Sequence, residues 1–206
     1  MKVEKEAGLN RREFLSASLA IPALVLSDAT TGLQVFGGTR EPEPTPACGD
    51  GDDITPSQTA GPFFKPRSPE RRSLLEPGMQ GTRIVLQGQV LSTKCKPISR
   101  ALVDFWHANA NGVYDNAGYR LRGHQFTDAE GRYRLETVVP GLYPGRTRHF
   151  HVRVQAASRP ILTTQLYFSG EAGNKGDAIF NPKLAISLRD SAGGKAATFD
   201  FLLDVG

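Results

Sequence analysis

His149 and His151 stand two apart in Arg148-His149-Phe150-His151-Val152-Arg153-Val154, a run that alternates as a strand does. In that register Arg148, Phe150, Val152 and Val154 share one face, and Thr147, His149, His151 and Arg153 share the other. Two imidazoles then point the same way, as two cis ligands of one metal ion require. Tyr143 precedes the strand at a Pro144-Gly145 corner that holds its backbone close to the same spot. Histidine is the commonest metal ligand, and a phenolate is a hard anionic donor suited to a ferric ion. The competing reading is an edge strand with two solvated histidines and a corner tyrosine packed on the core.

The surrounding chain supplies strands to carry such a site. Its 206 residues, 39% of them hydrophobic, suffice to bury one good core. The 22 Gly and 14 Pro are spread along the sequence, which suits many short strands joined by turns. Strand-like runs occupy residues 82–91 (broken at Gly88), 101–107, 132–139, 147–155, 162–168 and 198–205. Turn signals such as Asp128-Ala129-Glu130-Gly131 separate them, and no ten-residue helix is convincing. The pattern predicts an all-β antiparallel sandwich of prealbumin-like type with long active-site loops. Residues 170–197 form a breaker-rich excursion of the sort that is usually functional or mobile. Gln58-Thr59-Ala60-Gly61-Pro62-Phe63-Phe64 is too rich in breakers for a helix, yet its two phenylalanines imply that it packs onto something.

Ahead of residue 55 the sequence reads differently. Asn10-Arg11-Arg12-Glu13-Phe14-Leu15 and the apolar run that follows make residues 1–29 a twin-arginine-type export leader. That run is too short and too interrupted to span a membrane, so no stable insertion after export is expected. Residues 30–54, rich in Gly, Pro, Thr and acids, read as a flexible linker, leaving 55–206 as the folded domain. The expected location is periplasmic or extracellular. Cys48 and Cys95 lack any C-x-x-C spacing, and the sequence leaves open whether they pair or stay free. A net charge of +4 from dispersed basic residues, without aromatic interleaving, argues against nucleic acid as a partner.

Further stretches matter in combination. They are Gln58 to Phe64, Ala101-Leu102-Val103-Asp104-Phe105-Trp106-His107-Ala108-Asn109, Asn111-Gly112-Val113-Tyr114-Asp115 and Thr127-Asp128-Ala129-Glu130-Gly131-Arg132-Tyr133. Pro140-Gly141-Leu142-Tyr143-Pro144, His149-Phe150-His151 and Thr164-Gln165-Leu166-Tyr167-Phe168 follow. Together, in order over roughly residues 55–205, they resemble the intradiol ring-cleavage dioxygenases, the non-haem ferric family that includes protocatechuate and catechol dioxygenases. The resemblance implies a β-sandwich with Fe(III) held by two tyrosines and two histidines. Position by position, the ligands would be Tyr114, Tyr143, His149 and His151, with Tyr143 leaving when substrate binds and Tyr114 staying. Arg146 matches the arginine beside the substrate ring, and Gln165 matches its polar neighbour. Tyr119, Tyr133 and Tyr167 read as structural, and His107 reads as a satisfied core or edge histidine. His124 has no counterpart among the ligands.

By the same likeness, the partners are a small aromatic diol and O2, and ring opening between the hydroxyl-bearing carbons gives a cis,cis-muconate. Five residues between Tyr143 and His149, and no long helical segment before residue 55, resemble a protocatechuate-like, secreted branch. Two rival readings are a secreted β-sandwich binding module without a redox metal, and a zinc hydrolase. For the second, tyrosine is an uncommon zinc ligand and no third histidine or carboxylate is well placed.

Overall fold

The computed structural model describes residues 54–205. The stretch read as an export leader (1–29), the stretch read as a linker up to residue 53, and Cys48 lie outside the described residues. Alternating apolar residues fold the described chain into ten strands in two five-stranded sheets. In the first sheet, β1 (Arg83–Ser92) pairs antiparallel with β4 (Arg132–Val138), from Arg83↔Val138 to Gln89↔Arg132. It also pairs parallel with β9 (Gly194–Thr198) and then β10 (Phe201–Leu203), and β8 (Arg189–Ser191) adds antiparallel to β9. The second sheet runs β3 (Arg122–Phe126), β2 (Leu102–Trp106), β5 (His149–Gln155), β6 (Leu162–Phe168), β7 (Ala185–Ile186). Its first four strands are antiparallel, and β7 joins β6 in parallel.

One core lies between the sheets. Leu86, Leu135 and Phe201 from the first meet Phe105, Phe150, Val152 and Leu166 from the second, all fully buried. Burying each such side chain contributes about 1.5–3 kcal/mol. The sandwich expected from the pattern is borne out, with three short parallel pairings added to it.

Three elements differ from expectation. β3 was not legible because Arg122, His124 and Gln125 are polar; Arg122 and Gln125 are buried by hydrogen bonding rather than by apolar period. The Gln125 amide, for example, exchanges two bonds with the Arg134 backbone at 2.8 and 3.0 Å. The excursion at 170–197 holds two 3-10 turns (Ala172–Gly176 and Pro182–Leu184) and the short strands β7 and β8. The run at 198–205 is divided between β9 and β10. Cys95 is disulfide-bonded, which the sequence alone leaves open.

β5 is not an edge strand: β2 flanks it on one side and β6 on the other. Phe150, Val152 and Val154 face the core, so His149 and His151 project from the outer face of the second sheet. Register sets a row across that face. Arg122 pairs with Trp106, Trp106 with His151, and His151 with Gln165, so four strands present one side chain each to the same line. Segment 55–64 and the loops before β3 and β5 cover the row. There Trp106, Ala108 and Tyr114 pack with Ala60, Phe63, Phe64 and Tyr143 in a second, smaller apolar cluster. The two phenylalanines of the breaker-rich stretch are therefore packed, as expected.

Candidate metal centre

Burial and hydrogen bonding fix the two imidazoles in complementary ways. His149 Nδ1 lies 2.7 Å from the Thr147 carbonyl, which can only accept, so Nδ1 carries the proton and Nε2 keeps its lone pair. His151 instead stacks on Trp106, with ring centroids 5.0 Å apart and planes 3° from parallel. Its Nδ1 has no protein hydrogen-bond partner. The two Nε2 atoms converge to 3.2 Å, and Tyr114 Oη lies 3.4 Å from His149 Nε2. Two nitrogens each about 2.1 Å from one ion and about 100° apart lie about this far from each other. Burial lowers His149 to about 4, only partly opposed by its bond to Thr147. Burial and the neighbouring His149 push His151 well below the ordinary imidazole value. Both rings are therefore neutral and ready to donate lone pairs.

Tyr114 reaches this point from a loop tied down by its own backbone. Asn109 Oδ1 accepts the amides of Asn111 and Val113, and Asp115 Oδ1 accepts those of Ala117 and Gly118. Lys65 donates to the Ala117 and Gly118 carbonyls at 3.0 and 2.7 Å, joining this loop to the Phe63-bearing segment. Gly112, at φ +79°, lets the loop close on the next one: a Cβ there would sit 1.9 Å from the Leu142 carbonyl oxygen. The two tyrosine-bearing loops thus touch through backbone. Phe63 stacks on Tyr114 at 4.3 Å and meets Tyr143 edge-on at 5.4 Å, holding both rings. Burial drives the Tyr114 phenol above its usual range, although Arg146 and Arg122 pull it the other way. Without a cation beside it, Tyr114 is a neutral phenol.

Arg146 follows Tyr143 in a tight turn, its backbone N–H donating to the Tyr143 carbonyl at 3.0 Å. The guanidinium is held on two sides: Nε donates to Asp177 at 2.8 Å, and Nη2 donates to Gln165 Oε1 at 2.7 Å. Gln165 in turn donates to the Thr59 carbonyl at 2.9 Å. Of the six residues marked by the sequence, Tyr114, Tyr143, Arg146, His149 and His151 are thereby gathered around β5, and Gln165 lies beside them on β6.

Four contributors escaped the sequence reading. Asp177 sits in the excursion, its side chain 1% exposed, and also accepts the Thr147 amide. Tyr167, read as structural, lies 3.4 Å from Arg146 Nη2 and donates to Gln58 Oε1 at 2.6 Å; its phenol is raised to about 12, mainly by burial. Arg122, almost fully buried, donates to the Phe63 and Asp115 carbonyls and so clamps the segments carrying Phe63 and Tyr114. Trp106 is the stacking partner of His151. Only a charged or aromatic residue on a strand face could have flagged the last two.

Other assignments fall as read. His107 is a satisfied core histidine, bonded to Thr137 Oγ1 at 2.7 Å and the Ala108 carbonyl at 2.8 Å. Tyr133 is buried with its hydroxyl on the Phe199 carbonyl. Among the described residues no group of three or more His, Cys, Asp or Glu is gathered for a metal; two imidazoles and the Tyr114 phenol converge, and the Tyr143 ring lies edge-on to Tyr114 with centroids 6.0 Å apart. That set suits a hard, highly charged ion such as Fe(III) better than zinc. A cleft of about 590 Å³ is lined by Tyr114 together with Arg71, Glu76 and Arg120, but by none of Tyr143, Arg146, His149, His151 or Gln165.

A dioxygenase family model matches residues 59–205. The chain is 38% identical over 120 residues to the protocatechuate 3,4-dioxygenase beta chain of Burkholderia cepacia, covering 48% of this chain and 50% of that one. It is 29% identical over 153 residues to a catechol 1,2-dioxygenase of Pseudomonas sp. strain EST1001, covering 61% and 51%. The chain thus spans about half the length of the curated relatives it matches. Among solved structures, the dioxygenase domain of a dioxygenase–carbohydrate-binding fusion from Streptomyces sp. SirexAA-E is 52% identical, with a TM-score of 0.73. That likeness covers 75% of this chain and 100% of that one. The 3-chlorocatechol 1,2-dioxygenase of Rhodococcus opacus 1CP is 27% identical with a TM-score of 0.69, over 73% of each chain.

Proposed function

The chain belongs to the intradiol ring-cleavage dioxygenases, and from that membership we propose that it opens a catechol-type diol between its two hydroxyl-bearing carbons with O2. Tyr114, Tyr143, His149 and His151 would hold Fe(III). The observation that carries this is the meeting of His149 Nε2, His151 Nε2 and Tyr114 Oη within 3.2 and 3.4 Å, with both imidazoles kept neutral. Held there, Fe(III) would supply Lewis acidity towards a ring diolate, the chemistry by which a ring carbon becomes open to O2.

The chain's own residues have separable tasks. His149 and His151 donate neutral nitrogen, so the two phenolates are left to offset the charge of the ion. Tyr114 is clamped by the Phe63 stack and stays in place. Tyr143, half-buried at its turn and met by Phe63 only edge-on, would as a phenolate accept a proton from a substrate hydroxyl. Asp177 and Gln165 aim the Arg146 guanidinium. That group stabilises negative charge developing on the ring, a kind of interaction worth about 3–4 kcal/mol. Both atoms of O2 enter the product, a cis,cis-muconate-type diacid, so no other reductant is consumed.

The proposal includes export of the folded chain through Asn10-Arg11-Arg12-Glu13-Phe14-Leu15 and periplasmic or extracellular action on small aromatic diols. Oxygen uptake by the iron-loaded protein given catechol tests the activity. One O2 consumed per diol, with a muconate product, is expected. A folded, iron-loaded protein that consumes no O2 would support a β-sandwich binding module instead.

A further inference from the structure

Among the described residues, the Arg146 guanidinium is held through two of its three nitrogens. Nε donates to Asp177 at 2.8 Å, and Nη2 meets two acceptors, Gln165 Oε1 at 2.7 Å and Tyr167 Oη at 3.4 Å. Nη1 keeps both its hydrogens for a substrate, on a side chain that is 20% exposed. Because the guanidinium is a planar fork, fixing two nitrogens fixes where the third points.

What Tyr167 offers Arg146 depends on where its own single proton goes. Three acceptors surround the buried hydroxyl: Gln58 Oε1 at 2.6 Å, the Ile179 carbonyl at 3.0 Å and Gln165 Oε1 at 3.3 Å. Gln58 decides between them. Its Nε2 donates to the Ile179 carbonyl at 2.7 Å, which turns its Oε1 towards Tyr167, and its backbone N–H ties it to the Thr163 carbonyl at 2.7 Å. With the proton on the Gln58 side, the Tyr167 lone pairs are left for Nη2. A proton turned to Gln165 Oε1 would instead compete with Arg146 for that oxygen.

We propose that Gln58 and Tyr167 are positioning residues for ring cleavage, acting through Arg146 by fixing the direction in which Nη1 is presented. The assignment rests on the dioxygenase reading above. It gives Gln58, on the segment before β1, a part in the reaction at two hydrogen bonds' remove from the guanidinium.

The test is a double-mutant cycle of Tyr167→Phe with Arg146→Met in the iron-loaded full chain. The anaerobic catechol complex of each variant is mixed with O2, and the single-turnover decay of its visible band is followed, which keeps slow variants measurable. Tyr167→Phe should slow the decay about tenfold while catechol affinity, read from the anaerobic band shift, stays within about twofold. In the Arg146→Met background the same change should cost less than about twofold, since residues acting through one group are not additive. Gln58→Met should slow the wild type too, and add nothing once Tyr167 is replaced. Equal losses in both Arg146 backgrounds, or an unchanged rate in Tyr167→Phe, would make the tyrosine structural and overturn the assignment while leaving the dioxygenase reading intact. A wild-type catechol complex that O2 leaves unchanged would remove that reading, and the assignment with it.

Discussion

Asp177 Oδ2 accepts the Arg146 guanidinium at 2.8 Å and the Thr147 backbone N–H at 3.0 Å. One carboxylate from the long excursion thus fixes the side chain beside the proposed ring site and the backbone two residues before His149. Its other oxygen takes the Ile179 N–H at 3.1 Å, so the same residue also anchors the loop that follows it. Asp177→Asn keeps the shape but removes the charge that aims Arg146. We expect iron to stay bound while kcat falls by up to about 100-fold, the scale of a small misplacement of a positioned group. Steady-state kinetics with an iron assay check this, and unchanged kcat would make the pair structural.

The pH dependence of the same residue has a definite sign. Burial alone would raise the Asp177 carboxyl, but its bonds from Thr147, Arg146 and Ile179 hold it below the ordinary value of 3.8. A folded-state value below the unfolded one contributes stability that is present above about pH 4 and lost as pH falls through the folded value. Urea unfolding of wild type and Asp177→Asn should therefore differ at pH 6 and converge towards pH 3. A gap that widens on acidification would contradict the assignment.

Trp106 holds His151 by stacking, where His149 is held by a hydrogen bond. Trp106→Ala should cost about 3–5 kcal/mol of stability through the cavity it leaves. Trp106→Phe, which retains an aromatic face, should recover much of that loss and most of the iron affinity. Denaturant melts and iron titrations of the two variants separate packing from ligand orientation.

Gly61 packs against the same histidine. At φ +66°, a Cβ there would lie 3.1 Å from His151 Cε1. Gly61→Ala should lose about 1–2 kcal/mol from the left-handed backbone and weaken iron binding as the imidazole is displaced. Lost stability with iron affinity unchanged would confine Gly61 to a backbone role.

Legibility in the sequence followed the kind of force involved. β5 was readable because Phe150, Val152 and Val154 alternate with His149 and His151, and the period of two survives even though both faces are buried. β3 was not, since Arg122 and Gln125 are buried by hydrogen bonds that no periodicity announces. The strands β7 to β9 are two to five residues long and held by neighbours, which leaves little local pattern. Tyr143 could be placed beside the histidines from its corner alone. Tyr114 and Gln165, distant in sequence, came through likeness to a family, and Asp177 by neither route because a loop carboxylate has no pattern of its own.

The visible absorption spectrum of the iron-loaded protein tests the central claim most directly. Two tyrosinates on Fe(III) should give a broad charge-transfer band that shifts when catechol is added without oxygen, and Tyr143→Phe should lose much of it. A protein that stays colourless after Fe(III) is supplied, or a Tyr143→Phe variant with the wild-type band, would contradict the assignment of Tyr114, Tyr143, His149 and His151 as the ligands.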